Sequence, residues 1–379
     1  MKKIIALGLM SGTSADGLSI AAVNISKKGK AMPGSRLWWD KAIKVFKYKT
    51  YAYDAKLRKK ILSAPEMNAF NISELNFELG LLWSTYVVKF CKTANLKYKD
   101  ISVIGSHGQT VCHSPLATIP NTLQIGEASF IAKETGIPVV CDFRPMDMAS
   151  GGQGAPLIPF LDEFMFGTAK SKLLLNIGGI ANFSMVGKGL KTFACDIGPG
   201  NCLMDSLIEY ITKGKMQFDK DGVLALKGKI DYKKIEKMLK ESFFSMKPPK
   251  SADRNDFSLK FIKKYFRNIN LRNSADVIAT LNYLTAKSIE VSIKKYIRSI
   301  PLEMIVSGGG VFNGALMKNL RALLKPMEVS SIADYSMHPL AKEPACFALL
   351  AWEALNGRTN HPCSATGAKN KKILGKIIR

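Results

Sequence analysis

A carboxylate set among backbone amides and hydroxyls is the first feature able to do chemistry. Asp16 closes the loop Ser11-Gly12-Thr13-Ser14-Ala15-Asp16-Gly17, which lies between apolar runs at 4–10 and 18–23. Glycines let backbone N–H groups close around an anion, Ser and Thr add donors, and a carboxylate in such company acts through a bound metal or water. No Gly-Lys-Ser/Thr follows, and residues 18–23 are β-prone, so the pattern is a glycine-rich hairpin and not a Walker A loop. An ordinary hairpin turn has the same composition. A second carboxylate, Asp196, ends the strand pattern at 191–195 and precedes Ile197-Gly198-Pro199-Gly200-Asn201 and a helical stretch at 202–212. A carboxylate at a strand end, before a glycine-rich loop and a helix start, suits general-base work beside phosphate; an N-cap or turn role is the alternative. The base reading is preferred because a second strand–turn–strand, at 172–186 with Gly178-Gly179 at its turn, leads into Asp196.

Three further groups stand out. Ser106-His107-Gly108-Gln109-Thr110, with His113 beyond, opens from a strand pattern at 101–105. Short strands ending in glycine-rich polar loops are where α/β folds hold ligands. Histidines there orient a sugar, titrate near neutrality, or simply satisfy local backbone groups. After a buried-strand pattern at 137–140 come Cys141-Asp142-Phe143-Arg144-Pro145-Met146-Asp147 and then Gly151-Gly152-Gln153-Gly154-Ala155-Pro156. Directional amide and charged groups on a glycine-rich loop suit polyhydroxyl recognition, or a hinge between lobes. A plain linker is the alternative, and the ligand site is preferred. Gly308-Gly309-Gly310, after the apolar run 303–307, is a side-chain-free platform for adenine or ribose, or a tight β–α turn.

The elements that must position these groups are legible as periodicities. Helical spacing covers 53–63, 72–93, 232–242, 258–266, 275–297, 315–324 and 346–355, and strand patterns cover 37–51, 101–105, 137–140 and 303–307. A polar turn is expected at 27–34 and an edge strand at 373–378. A length of 379 residues suggests two domains, each able to bury a core. The formal charge is +25, but the lysines are spread in pairs such as Lys59-Lys60 and Lys263-Lys264, without a dense basic block interleaved with aromatics. That argues against nucleic acid and for a solvated basic surface that also attracts phosphates. Seven cysteines, an odd number without CxxC pairs, argue against zinc and a disulfide framework and for a reducing compartment. No run approaches the roughly 20 apolar residues of a membrane span, so a cytoplasmic location with no membrane partner is expected.

Three glycine-rich strand turns in two successive α/β halves resemble the superfamily of actin, sugar kinases and Hsp70. This implies an α/β, two-lobed actin-like or ribonuclease-H-like ATPase fold with a central cleft. The expected lobes are residues 1–140 and 141–341, with 342–379 packing back on the first. The wording resembles one family more closely. Met10 to Gly17, Gly105-Ser-His-Gly-Gln-Thr110, Asp142-Phe-Arg144, Gly151-Gly-Gln-Gly-Ala-Pro156, Asn176-Ile-Gly-Gly-Ile-Ala-Asn182 and Gly198-Pro-Gly-Asn201 are similar to anhydro-N-acetylmuramic acid kinases. So are Lys250-Ser251 with Arg254 and Phe257, Ala279-Thr-Leu281 with Leu284-Thr-Ala286, Gly308-Gly-Gly310 with Asn313, and Thr366-Gly-Ala368. The similarity runs almost end to end and in order.

That resemblance implies ATP-dependent conversion of 1,6-anhydro-N-acetylmuramic acid to N-acetylmuramic acid 6-phosphate, with Mg²⁺, in a homodimer. It implies that Gly12, Thr13, Ser14, Ala15, Asp16, Gly17, Leu18 and Ser19 hold the ATP phosphates, with Asp16 on the metal. Gly178 and Gly179, and Gly308, Gly309 and Gly310 on the nucleoside side, complete the nucleotide set. Asp196 is the implied catalytic base. His107, Gln109, Asp142, Arg144, Gln153, Gly154, Asn201 and Glu343 are the implied substrate residues. Three positions depart from the family: Ile197 where Thr is usual beside the base, Ser19 for Asp, and Pro344 for Ala. The rival readings are a kinase for another anhydrosugar such as levoglucosan, and a non-catalytic ATP switch of the actin or Hsp70 type.

Overall fold

The computed structural model describes residues 4–26, 43–248, 250, 252, 256–361 and 363–379. The expected turn at 27–34 and the start of the strand expected at 37–51 lie outside these. The chain divides into two units, Met1–Ala169 with Tyr335–Arg379, and Lys170–Asp334. Elements are numbered in chain order.

The first unit is built on β1 (Ile4–Ser11), β2 (Gly17–Ile25), β3 (Ile43–Ala52), β4 (Ile101–Ser114), β5 (Asn121–Ile125), β6 (Val139–Cys141) and β12 (Lys376–Ile378). Among the described residues the sheet order is β12-β6-β4-β1-β2-β3, with β5 on the outer half of β4. β1 to β3 form an antiparallel meander, β4 and β6 run parallel to β1, and β12 closes the edge antiparallel to β6. β1 and β2 are buried along almost their whole length, as expected for strands covered on both faces.

The helices of this unit are α1 (Ala55–Leu62), α2 (Ala69–Thr93), α3 (Ser129–Thr135), α4 (Phe143–Ala149), α5 (Pro159–Phe166), α13 (Lys342–Leu355) and α14 (Cys363–Thr366). α2 starts where the Asn68 side chain accepts from the Asn71 N–H, and it buries Leu75, Leu79, Trp83, Val87 and Phe90 on one face. Each such side chain contributes roughly 1.5–3 kcal/mol on full burial. On the other sheet face α13 lies directly on β1 and β4. Gly8 and Gly105 are register partners, and a methyl at either would meet the Pro344 oxygen at 1.7 Å or the Phe347 oxygen at 2.0 Å. Only glycine allows that approach. Pro344, one of the departures, stands in the first turn of α13, where its missing N–H has no intrahelical acceptor to lose.

The second unit repeats the plan. β7 (Lys172–Ile177), β8 (Ile180–Val186) and β9 (Phe193–Pro199) form a meander, and β10 (Glu303–Ser307) and β11 (Glu328–Ser331) add parallel strands in the order β11-β10-β7-β8-β9. Its helices are α6 (Cys202–Ile211), α7 (Val223–Lys227), α8 (Tyr232–Met238), α9 (Ser242–Ser245), α10 (Leu259–Tyr265), α11 (Ser274–Tyr296) and α12 (Gly314–Leu323). Leu175, Ile177, Phe183 and Ile197 join Leu203, Leu207, Ile278, Leu281 and Leu316 in one core. With β5 and the edge strand β12 set aside, both sheets share the order 3-2-1-4-5, with the second strand antiparallel to the first. This duplicated order is the ribonuclease-H-like, actin-like fold.

Two expectations are corrected. The boundary falls at 169/170, not 140/141: β6 pairs with β4, and Asp147 and Gln153 bond to Thr366, so residues 141–169 belong with the first unit. Residues 106–114 are strand, not loop, because β5 supplies a partner for the outer half of β4.

Candidate active site

In the first unit, β1 turns into β2 through residues 12–16. The Ala15 N–H donates to the Gly12 carbonyl at 3.0 Å and Ala15 sits at φ 52°, which closes the turn. The Tyr53 N–H donates to the Asp16 carbonyl at 3.1 Å and so fastens the loop to the start of α1. Beneath the loop, Ser11 Oγ donates to Gln109 Oε1 at 2.6 Å and shares a 2.9 Å bond with the Tyr53 hydroxyl, which also accepts from Trp83 Nε1 at 2.9 Å. Gln109 is 2% exposed, so its side chain braces the loop from below. Leu18 and Ala15 are in the core. Ser19 turns instead to the hydroxyls of Tyr48 and Thr50 on β3. Asp16 is exposed, and its carboxylate takes Arg58 Nε at 3.3 Å. A methyl at Gly12 would meet nothing closer than Ser14 Oγ at 3.7 Å, so packing does not require this glycine. The space above its backbone is open to a ligand.

Midway along β4, His107 is buried. Its Nδ1–H donates to the Gly108 carbonyl at 2.8 Å, which leaves Nε2 to accept from Arg144 Nη2 at 2.9 Å and Nε at 3.2 Å. Burial, with Arg144 beside it, pushes His107 down to about 3. It is therefore neutral in the working range and acts as an acceptor that orients Arg144, not as a base. Arg144 Nη1 donates to the Gly154 carbonyl at 3.2 Å. Burial draws Arg144 down to about 10 while Glu343 and Asp147 hold it up. The 151–156 loop is fixed by Asp147, fully buried, which accepts from the Gly154 N–H at 2.7 Å and from Thr366 Oγ1 at 2.7 Å. The Gln153 N–H donates to the Thr366 carbonyl at 2.8 Å. Asp142, at φ 53°, pairs with Lys376 of β12 at 2.8 Å. Glu343 stands in the first turn of α13 beside Lys342, whose ammonium forms a buried 2.7 Å ion pair with Asp162 of α5. The first unit thus joins His107, Arg144 and Gly154 by hydrogen bonds, with the charge of Glu343 bearing on Arg144. His113 lies farther along β4, bonded to Thr122 at 3.0 Å.

In the second unit the turn between β7 and β8 is Gly178-Gly179 alone. Its carbonyls accept from Gly200, Asn201 and Cys202 N–H groups at 2.8, 2.8 and 3.1 Å, and the Gly200 carbonyl accepts from Thr285 Oγ1 at 2.9 Å. The Asn201 side chain donates to the Ile177 carbonyl at 3.4 Å. A methyl at Gly178 would meet nothing nearer than 3.7 Å. Gly308 and Gly310 instead pack on Ile177, at 2.6 Å from its oxygen and 2.4 Å from its Cγ2 for an added methyl. Asp196, half-buried on β9, accepts from the Ala252 N–H through Oδ2 at 2.9 Å. Ile197 points to the opposite strand face, into the core at 0% exposure, so a hydroxyl there would not lie beside the carboxylate.

No role is expected for Asp147 or Thr366 from sequence, although Thr366-Gly-Ala368 belongs to the family resemblance. Lys250 also went without one, and Ser251 and Arg254 lie outside the described residues. Among the described residues no three His, Cys, Asp or Glu side chains cluster to hold a metal. Asp16 still fits Mg²⁺ chemistry, since that ion takes one or two protein carboxylates and draws its other ligands from phosphate and water. No described helix is long and apolar enough to cross a membrane.

Compared with known proteins, residues 4–379 match the family described as anhydro-N-acetylmuramic acid kinase. A protein of that name from Caldanaerobacter subterraneus subsp. tengcongensis is 37% identical, covering 98% of this chain and 96% of its own. One from Mannheimia succiniciproducens is 36% identical over 100% of both chains. One from Bacillus cereus (strain 03BB102) is 34% identical over 98% of both. A solved ROK family glucokinase from Streptomyces griseus aligns over 92% of this chain and 99% of its own, at 11% identity and a TM-score of 0.38.

Proposed function

Because the chain belongs to the anhydro-N-acetylmuramic acid kinase family and is a phosphotransferase of that kind, we propose that it uses ATP and water to open 1,6-anhydro-N-acetylmuramic acid and phosphorylate the freed O6. The product is N-acetylmuramic acid 6-phosphate, formed in the recycling of peptidoglycan. The observation that carries this reading is Asp196: a half-buried carboxylate whose Oδ2 is oriented by the Ala252 N–H, on the strand next to a braced, side-chain-free turn.

Asp196 takes a proton from water, and the hydroxide adds to the anomeric carbon as the bond from that carbon to O6 breaks. The O6 alkoxide attacks the γ-phosphorus in line, and ADP leaves. Backbone amides at Gly12 and Gly178, where nothing blocks close approach, take the phosphate oxygens. Asp16 would hold Mg²⁺, which when bound offsets charge on the transferring group. Arg144, kept in place by neutral His107, meets the lactyl carboxylate, while Glu343 and the 151–156 loop meet sugar hydroxyls. Gly308 to Gly310 take the nucleoside. Need for ATP goes with a cytoplasmic location, and the family with a homodimer.

A coupled ADP-release assay tests the reading. ADP release with 1,6-anhydro-N-acetylmuramic acid should exceed that with levoglucosan by about a hundredfold or more, since a buried cation left without its carboxylate costs about 3 kcal/mol. Equal turnover on levoglucosan would move the assignment to another anhydrosugar. ADP release indifferent to any sugar would move it to a nucleotide switch.

A further inference from the structure

Lys250 belongs to a stretch that carries the family resemblance, yet the reaction above gives it no task. It is 6% exposed, unusual for lysine. Its ammonium donates to the Phe243 carbonyl at 3.1 Å, lies 4.2 Å from the centroid of the Phe243 ring and 5.6 Å from that of Tyr296. The attachment is to α9, a single turn of helix that cannot hold itself. Its last carbonyls are met from outside: Phe243 by Lys250, Phe244 and Ser245 by Lys295 at 3.4 and 3.2 Å, and Met246 by the Tyr296 hydroxyl at 2.7 Å. α9 is in turn pressed on β9, since a methyl at Gly198 would meet Phe244 Cε1 at 2.9 Å. Two residues past Lys250, the Ala252 N–H reaches Asp196 Oδ2.

We infer that Lys250 is the positioning residue of Asp196: it pins residues 250 and 252 to α9 so that the Ala252 amide stays on the carboxylate, and it adds a fixed positive charge that favours the ionised form. The inference rests on the reading of Asp196 as the base. Burial lowers Lys250, as does Lys295 of α11, while the carboxylate of Asp196 on β9 raises it. Cys195 is pushed up to about 12 by burial and stays a neutral thiol. Lys250 is thus a cation whose charge bears on Asp196, while Lys295 is committed to carbonyls.

The test uses the full-length enzyme with Lys250→Met, Lys250→Gln, Lys250→Arg and Asp196→Asn, each profiled for kcat and sugar KM from pH 4.5 to 8. Lys250→Met should lower kcat about tenfold with sugar KM unchanged within about twofold. The acid limb of kcat/KM should move up by about half a unit or more, because the carboxylate loses a neighbouring cation. Lys250→Arg should restore most of both. Lys250→Gln keeps a donor for the Phe243 carbonyl, so it reports the limb even where Lys250→Met folds poorly. A limb that stays in place in Lys250→Gln, with Arg no better than Gln, overturns the inference and leaves Lys250 a cap for α9. Full turnover in Asp196→Asn overturns the base assignment itself, a separate failure.

Discussion

The two units use one strand order for two kinds of turn. In the first, the β1–β2 turn carries Thr13, Ser14 and Asp16, and the carboxylate is exposed and pairs with the Arg58 side chain. In the second, the β7–β8 turn is Gly178-Gly179, stripped of side chains and tied down by residues 200–202 and Thr285. Its carboxylate has moved off the turn to Asp196 on β9, where a backbone amide holds it. An exposed carboxylate can follow a metal and phosphates; a held, half-buried one can deliver a proton transfer at a fixed point. On the proposed reading, the same scaffold separates anion handling from acid–base work by where it puts one Asp. Glycines divide the same way. Gly12 and Gly178 face open space, whereas Gly8 and Gly105 are filled by the backbone of α13.

The largest effect that can break this division is at the packing glycines. Gly8→Ala or Gly105→Ala forces a methyl to within 2.0 Å of a helix carbonyl, and should cost more than about 3 kcal/mol, read as lost soluble protein or a collapsed urea midpoint. Gly12→Ala should leave the midpoint within about 1 kcal/mol and raise the KM for ATP. A stable Gly8→Ala protein would show that α13 does not sit on the sheet as described.

Next comes the brace of the 151–156 loop. Asp147→Asn sets an amide against the Gly154 N–H or Thr366 hydroxyl that the carboxylate now accepts. It should cost about 2 kcal/mol and raise sugar KM more than ATP KM, which steady-state kinetics will separate. Equal rises would detach this loop from the sugar.

The smallest effect is a pH slope confined to the first unit. The pKa of His107 is about 3 in the fold, against about 6.5 in an unfolded chain. The unfolded chain therefore binds the proton first as pH falls. The stability His107 contributes is whole above about pH 6.5 and is lost between there and about 3. His113, held near 4 by burial, adds with the same sign. Urea midpoints should fall from pH 7.5 to 5, and fall less in His107→Gln. The kcat profile should show no His107 step near neutrality.

Local chemistry was the legible part. Gly12 and Gly17 between apolar runs announce the first hairpin, and the same pattern at 172–186 announces the second. α2 and α11 were visible as long periodic stretches. What could not be seen depends on distant partners. β4 continues to Ser114 because β5 pairs with it, while its Gly and His content imitates a loop. The boundary at 169/170 depends on α13, β12 and Thr366 returning to the first unit from some 200 residues away. Gln109 is a substrate residue by resemblance; its register opposite Ser11, which sequence alone does not reveal, sets its side chain on Ser11 Oγ. Ile197 raises concern only until strand alternation sends it into the core.

One acid, Asp196, is proposed to start both bond changes. The direct measurement is ADP release from Asp196→Asn at saturating ATP and 1,6-anhydro-N-acetylmuramic acid, alongside its urea midpoint. The expected result is a kcat lower by about a thousandfold or more at near-normal stability and substrate KM. A kcat within about tenfold of the unmodified enzyme would contradict it.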